Sequence, residues 1–206
     1  MPGWNPPVDG YVGDVPVLTR EEFDAIEFEA ACTGDHESAA ERMNELATTG
    51  TQSESMPRAE AFIRAGEQWL LADDPRKAAN GFRLAIADGG PVDVDPRVPL
   101  CRALFQLGNR TEAYALIEDL RAQGKADARA CDLITELLVE QSDLQAALEW
   151  ATRGVELMLG DQAQTPVPGS VLASDTTGLR DLLRIRYRIR NDLRLPEDEY
   201  DRMLAI

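Results

Sequence analysis

Histidine is almost missing from this sequence of 206 residues: there is one, His36, accompanied by three widely spaced cysteines. Such a supply makes a metal cage of neighbouring cysteine and histidine side chains improbable, and three thiols so placed do not form a disulfide framework. The spacing of Cys32 and His36 could pair two ligands on one helix, but the turn expected between them breaks it, so no metal and no cofactor is expected. There is no glycine-rich phosphate loop and no Gly-x-Ser-x-Gly turn, so two common signatures of nucleotide binding and nucleophilic catalysis are lacking. No apolar run approaches 18 residues, and the first seven residues lack a basic then apolar signal segment, so the expected compartment is the cytoplasm. Positive charge is also short. With 21 Lys and Arg against 37 Asp and Glu, the formal charge of −16 disfavours nucleic acid or an anionic membrane for the surface as a whole and favours basic partners.

What is present is a recurrence. Thr33-Gly-Asp-His-Glu-Ser-Ala39, Leu107-Gly-Asn-Arg-Thr-Glu-Ala113 and Gln141-Ser-Asp-Leu-Gln-Ala-Ala147 share one pattern, and Ala72-Asp-Asp-Pro-Arg-Lys-Ala78 is a weaker copy. Each lies between two apolar stretches of helical spacing, so each reads as helix, tight turn, helix. Copies starting near Arg20, Ala59, Val94 and Ala128 are separated by 39, 35 and 34 residues. The excess in the first gap falls in the polar stretch 51–58, which reads as a lengthened loop. A repeat of this period cannot bury its apolar face alone, and stacking of neighbours builds the core. Residues 1–18 read as an extended arm, and Thr19 with Glu22 reads as a capping box for the first helix.

At this point the sequence resembles the tetratricopeptide repeat family over roughly residues 20–160. The second copy carries Phe62, Ala65, Gly66, Trp69, Ala78, Phe82 and Ala85 at the family's fourth, seventh, eighth, eleventh, twentieth, twenty-fourth and twenty-seventh places. The third carries Arg97, Leu100, Cys101, Leu104, Ala113, Ile117 and Leu120; the fourth carries Cys131, Ile134, Thr135, Leu138, Ala147, Ala151 and Gly154. The first departs most at its eighth place, Glu27, where the pattern asks for a small residue. The resemblance implies an all-α, right-handed superhelical array of about four helix-turn-helix repeats over 19–160. Small residues at Gly66, Ala78, Ala113 and Ala147 would let antiparallel helices approach, with Trp69 and Phe82 filling between them. Cys101 and Cys131 read as small core hydrophobes.

In such arrays the first helix of each pair faces a ligand groove. Carried onto this chain, that implies a partner-binding set of Asp24, Phe28, Glu60, Ile63, Glu67, Arg102, Phe105, Asp132, Glu136 and Glu140. Acidic residues dominate, and the lysine and asparagine set with which some family members hold a terminal carboxylate is missing. The expected ligand is a basic protein or peptide segment, with Phe28, Ile63 and Phe105 offering apolar pockets.

Beyond a linker expected over 161–176 the charge reverses. Residues 180–194 carry six arginines against Asp181 and Asp192. Leu182, Ile185, Ile189 and Leu193 share a narrow helical face, predicting a C-terminal amphipathic helix within 177–206. Residues 184–190 also alternate at strand period, but no partner strand lies nearby. Arg184, Arg186, Arg188 and Arg190 are the expected basic surface, open to three roles: a cap on the core, a dock for an acidic partner or a second copy of the chain, or a contact with nucleic acid phosphates. Pro196 opens a last short helix with Glu197, Asp198 and Glu199 in its first turn. The sequence thus predicts a non-catalytic interaction scaffold, with a nucleic-acid-associated regulator as the alternative.

Overall fold

The computed structural model describes residues 11–12, 15–164 and 175–205. Ten helices make up most of them: α1 Arg20–Thr33, α2 His36–Thr49, α3 Arg58–Leu71, α4 Pro75–Asp88, α5 Arg97–Gln106, α6 Arg110–Gln123, α7 Ala128–Glu140, α8 Leu144–Gln164, α9 Asp175–Asp192 and α10 Glu199–Arg202. Among the described residues, none is long and apolar enough to cross a membrane. The chain divides into two compact units, Met1–Leu116 and Ile117–Ile206, with the boundary inside α6.

The expected helix pairs form because their turns carry the right chemistry. Gly34, Asp73, Gly108 and Ser142 all adopt left-handed backbone with φ between 58° and 79°. In the last three turns the next amide donates to a carbonyl five residues back: Asp74 to Trp69, Asn109 to Leu104 and Asp143 to Leu138. That closes the finished helix while the same residue starts the next. Asp35, Asp74 and Asp143 then accept from Ser38, Lys77 and Ala146 amides, capping the second helices. Thr19 caps α1 through the Glu22 amide, but the Glu22 carboxylate turns to Arg42 rather than completing the box. The third copy begins later than its spacing suggests, because Asp95 binds the Arg97 amide and guanidinium ahead of the helix.

In the first unit, α1 packs on α2, α2 on α3, α3 on α4 and α4 on α5, and the first helices α1, α3 and α5 also touch in succession. The α3–α4 crossing is close: a Cβ at Gly66 would lie 2.5 Å from the Phe82 ring, and one at Gly81 would lie 3.2 Å from the Phe62 carbonyl. Phe23, Met43, Phe82 and Leu104 are the bulk of this core. In the second unit α7 packs on α8 and α8 on α9; Ile117, Ile134, Leu138 and Trp150 are buried, and a further cluster joins Val155 to Leu179, Leu182 and Leu183. Ala113 and Ala147 are fully buried. Burial pushes the Cys101 thiol up to about 12 and the Cys131 thiol up to about 11, in keeping with core hydrophobes.

The arm and the lengthened loop belong together. A short hairpin, β1 Tyr11–Val12 and β2 Val15–Pro16, leads into a parallel bridge between Val17 and Thr51. The Leu18 amide donates to the Thr51 carbonyl and the Thr51 amide to the Pro16 carbonyl, both at 2.8 Å. Leu18 is fully buried against Gly50, where an added Cβ would lie 2.6 Å from its Cδ2. Residues 15–18 are therefore fastened rather than loose, and the extra residues of the first gap are what fasten them. Of the linker expected over 161–176, residues 161–164 continue α8 and 175–176 open α9; residues 165–174 lie outside the described set, as do 1–10 of the arm.

Candidate interaction surfaces

Within the first unit, Asp24, Phe28 and Glu67 are exposed, Phe28 by 72% of its area. Glu60 is half-buried and accepts the Asp93 amide at 3.1 Å. Arg102 is half-buried. Ile63 was expected to line a pocket and does not: it is 3% exposed and belongs to the core. Its place in the repeat points at the neighbouring helices once α1, α3 and α5 lie side by side, so the facing rule carried from the family fails there. Phe105 is half-buried, its ring edge-on to Tyr114 at 5.5 Å with the Arg110 guanidinium 5.8 Å away. Of the three expected apolar pocket residues, only Phe28 presents an open ring.

Arg64 was missed by the sequence reading. It is 8% exposed, yet charged. Its Nε and Nη2 donate to Glu27 Oε1 and Oε2 at 2.7 and 2.5 Å, and Nη2 also donates to Asp24 Oδ1 at 2.6 Å. Burial alone would make this guanidinium give up its proton more readily; the two carboxylates outweigh that and hold its pKa above the ordinary value. The signal was present in Glu27, the residue that broke the small-residue rule. A carboxylate there makes sense once an arginine from the next pair meets it. His36 is likewise engaged, its Nδ1 2.9 Å from Gln68 Oε1. Among the described residues, no three His, Cys, Asp or Glu side chains are grouped to hold a metal ion.

In the second unit, Asp132, Glu136 and Glu140 fall four residues apart on α7, so they form one ridge. Asp132 is half-buried; Glu136 and Glu140 are exposed. Burial, then the neighbouring Glu136 and Asp181 charges, raise the Asp132 carboxyl above its usual range. Asp181 sits on α9, whose own Arg184 turns back to it at 3.3 Å.

The arginine helix splits into two sets. Arg184 and Arg188 are exposed as expected, with Arg180 in line with them. Arg186 is buried and Arg190 half-buried. Arg186 is 3% exposed and donates to Thr152 Oγ1 at 3.0 Å, Asp201 Oδ1 at 3.2 Å and Asp198 Oδ2 at 2.5 Å, with its guanidinium 4.7 Å from the centre of the Tyr200 ring. Arg190 donates to Asp201 Oδ2 at 2.9 Å, pairs with Asp198 at 3.0 Å and also reaches the Pro196 carbonyl. Arg186 chiefly holds the Asp198 carboxyl down, to about 2. The buried arc of α9 is wider than the narrow leucine and isoleucine face, and two carboxylates from the chain's end neutralise the charge it takes in. Asp198 does this while also capping α10 with Asp201 in a reciprocal capping box.

No family model, no curated protein and no solved structure matches the chain.

Proposed function

We propose that the chain is a non-catalytic interaction scaffold of the cytoplasm, similar to a tetratricopeptide array whose pairs continue as a right-handed superhelix. The carboxylates of its first helices hold a basic segment of a protein partner. The observation that carries this reading is the α7 ridge. Like charges four residues apart on a helix oppose one another, and the Asp132 carboxyl is raised first by its partial burial and then by the Glu136 and Asp181 charges. Asp132 and Glu136 have no ion-pair partner among the described residues, and negative charge left in that state is matched to a cation brought from outside. The first unit offers exposed carboxylates of its own, Asp24 and Glu67, with Phe28 as an open apolar anchor. The nucleic-acid alternative loses ground, because half of the arginines it relied on are turned inward onto Asp198 and Asp201.

Calorimetric titration with an arginine-rich peptide tests the reading. Binding is expected to weaken at least tenfold in Glu136→Lys and to fall also in Glu67→Lys. Binding indifferent to both reversals would remove the acidic-face reading.

A further inference from the structure

Apart from the surfaces already described, the first unit holds a cleft of about 530 Å³ between α2 and α4, two helices that both pack on α3. Small-molecule sites span about 300–1,000 Å³. Glu41 and Glu45 of α2 line one wall and Arg76 and Lys77 of α4 the other, with Trp69 of α3, 5% exposed, between them. Fully buried Met43 and Ala47 anchor α2, and Ala78 and Phe82 anchor α4, so both walls stand on the core. Opposite charges line this one space without meeting. Among the described residues, Glu41, Glu45 and Arg76 have no ion-pair partner. Lys77 is engaged: its Nζ lies 3.5 Å from Glu37, 3.6 Å from Asp74 and 3.9 Å from the centre of the Trp69 ring. The Lys77–Glu37 pair joins the first turns of α4 and α2, so Arg76 stands at that end of the cleft, and Glu41 and Glu45 follow one and two turns along α2. Asn44 and Asn80 also line the cleft, and among the described residues their side-chain amides have no hydrogen-bond partner.

We propose that this cleft binds a free basic α-amino acid, of the class of arginine and lysine. The signs set the class: two carboxylates and one guanidinium without partners are complementary to a molecule with two cations and one carboxylate. The ligand carboxylate meets Arg76, whose planar fork suits it. Its α-ammonium, next to the carboxylate, meets Glu41. The side-chain cation reaches Glu45, about 6 Å further along α2, with Trp69 as the apolar neighbour of the methylene stem. Asn44 and Asn80 supply amides that donate to the carboxylate or accept from the ammonium. The charged partners are all exposed, so the ligand is held weakly, with a Kd on the order of 1 mM. None of the carboxylates assigned to the basic protein segment is used, so the two readings stand independently.

Amide NMR titration of the full chain with L-arginine tests it. Saturable shifts are expected at residues 41–45 and 76–80, and L-lysine should produce them too. Removing one charge from the ligand should weaken binding roughly threefold to fivefold in each case: argininamide lacks the carboxylate, Nα-acetylarginine the ammonium and norvaline the side-chain cation. Arg76→Gln should erase the preference for arginine over argininamide, and Glu45→Gln that for arginine over norvaline. Both side chains are exposed, so helical circular dichroism should be retained. No saturable shift up to about 20 mM arginine, argininamide binding as well as arginine, or a preference that survives Arg76→Gln would each overturn the proposal. Glu136→Lys should leave arginine binding unchanged. Arginine that fails to bind while the arginine-rich peptide still binds defeats the cleft alone, and the reverse result defeats the acidic-face reading alone.

Discussion

Replacing Arg186 by methionine keeps the volume of the side chain and removes its charge. The guanidinium is 3% exposed and faces Asp198 at 2.5 Å and Asp201 at 3.2 Å. Removing one partner from a buried ion pair costs roughly 3–5 kcal/mol, mostly because a charge is left uncompensated. Here Arg190 remains, 2.9 Å from Asp201 and 3.0 Å from Asp198, which places the expected loss at the low end, about 3 kcal/mol. An independent figure comes from Asp198, whose carboxyl falls from 3.8 to about 2. At about 1.4 kcal/mol per unit, and discounted for a side chain 30% exposed, that is about 2 kcal/mol from one carboxylate. The sign follows from the lowered value. This stabilisation is complete above the unfolded carboxyl's pKa near 4 and disappears as the pH drops through about 2. Urea titrations at pH 7, with hydrogen exchange read at α9 amides, should therefore show a deficit of about 3 kcal/mol that shrinks as the pH is lowered towards 2. A deficit under about 1 kcal/mol at pH 7, or one unchanged in acid, would refute the account of the terminal cluster.

Other expectations concern the crossings, the ridge and the thiols. Gly66→Ala gains helix propensity of about 1 kcal/mol but drives a methyl into the buried Phe82 ring, so a net loss in melting temperature is expected. Gly160→Ala, which meets nothing within 4 Å, should raise it instead. Ala147→Leu and Ala113→Leu should each cost roughly 1–3 kcal/mol by overpacking fully buried positions, seen as lower urea midpoints. Asp132→Asn should melt higher than the wild type at pH 7. Because the Asp132 carboxyl is raised, acidification neutralises it in the wild type too, and the difference should vanish at low pH. A thiol reagent should titrate one cysteine, exposed Cys32, in the native protein and all three in urea.

The pairs of helices were legible because their determinants are local. A left-handed residue followed by Asp or Asn reports a turn within a few residues, and the turns between α1 and α2, α3 and α4, α5 and α6, and α7 and α8 stand where those signals do. The docking of Leu18 beside Gly50 was not legible, since it depends on a contact between residues 32 apart with no periodic trace in either. The dual nature of the arginine helix was hidden for a related reason. Asp198 reads as an ordinary helix-capping residue, and nothing in its neighbourhood announces that it also answers Arg186. Ile63 failed through a borrowed facing rule; Glu27 was flagged as a misfit, but its reason needed Arg64 from another pair. Of the candidate site, the charges on α7 were readable from spacing, while the lack of an ion-pair partner for Asp132 and Glu136 among the described residues needed the fold.

The α1–α2 pair meets the other helices of the first unit chiefly where α2 packs on α3, so it is the pair that a local opening would release. The fastening of residues 15–18 along Thr51 changes the order of events for this protein. Trimming the chain back to Thr19 would open the seam beside Gly50 to water and let the α1–α2 pair peel away first. Keeping Leu18 makes that pair share the lifetime of the helices behind it. Residues 15–18 thus act as a latch, and removing them would disturb far more of the molecule than their number suggests.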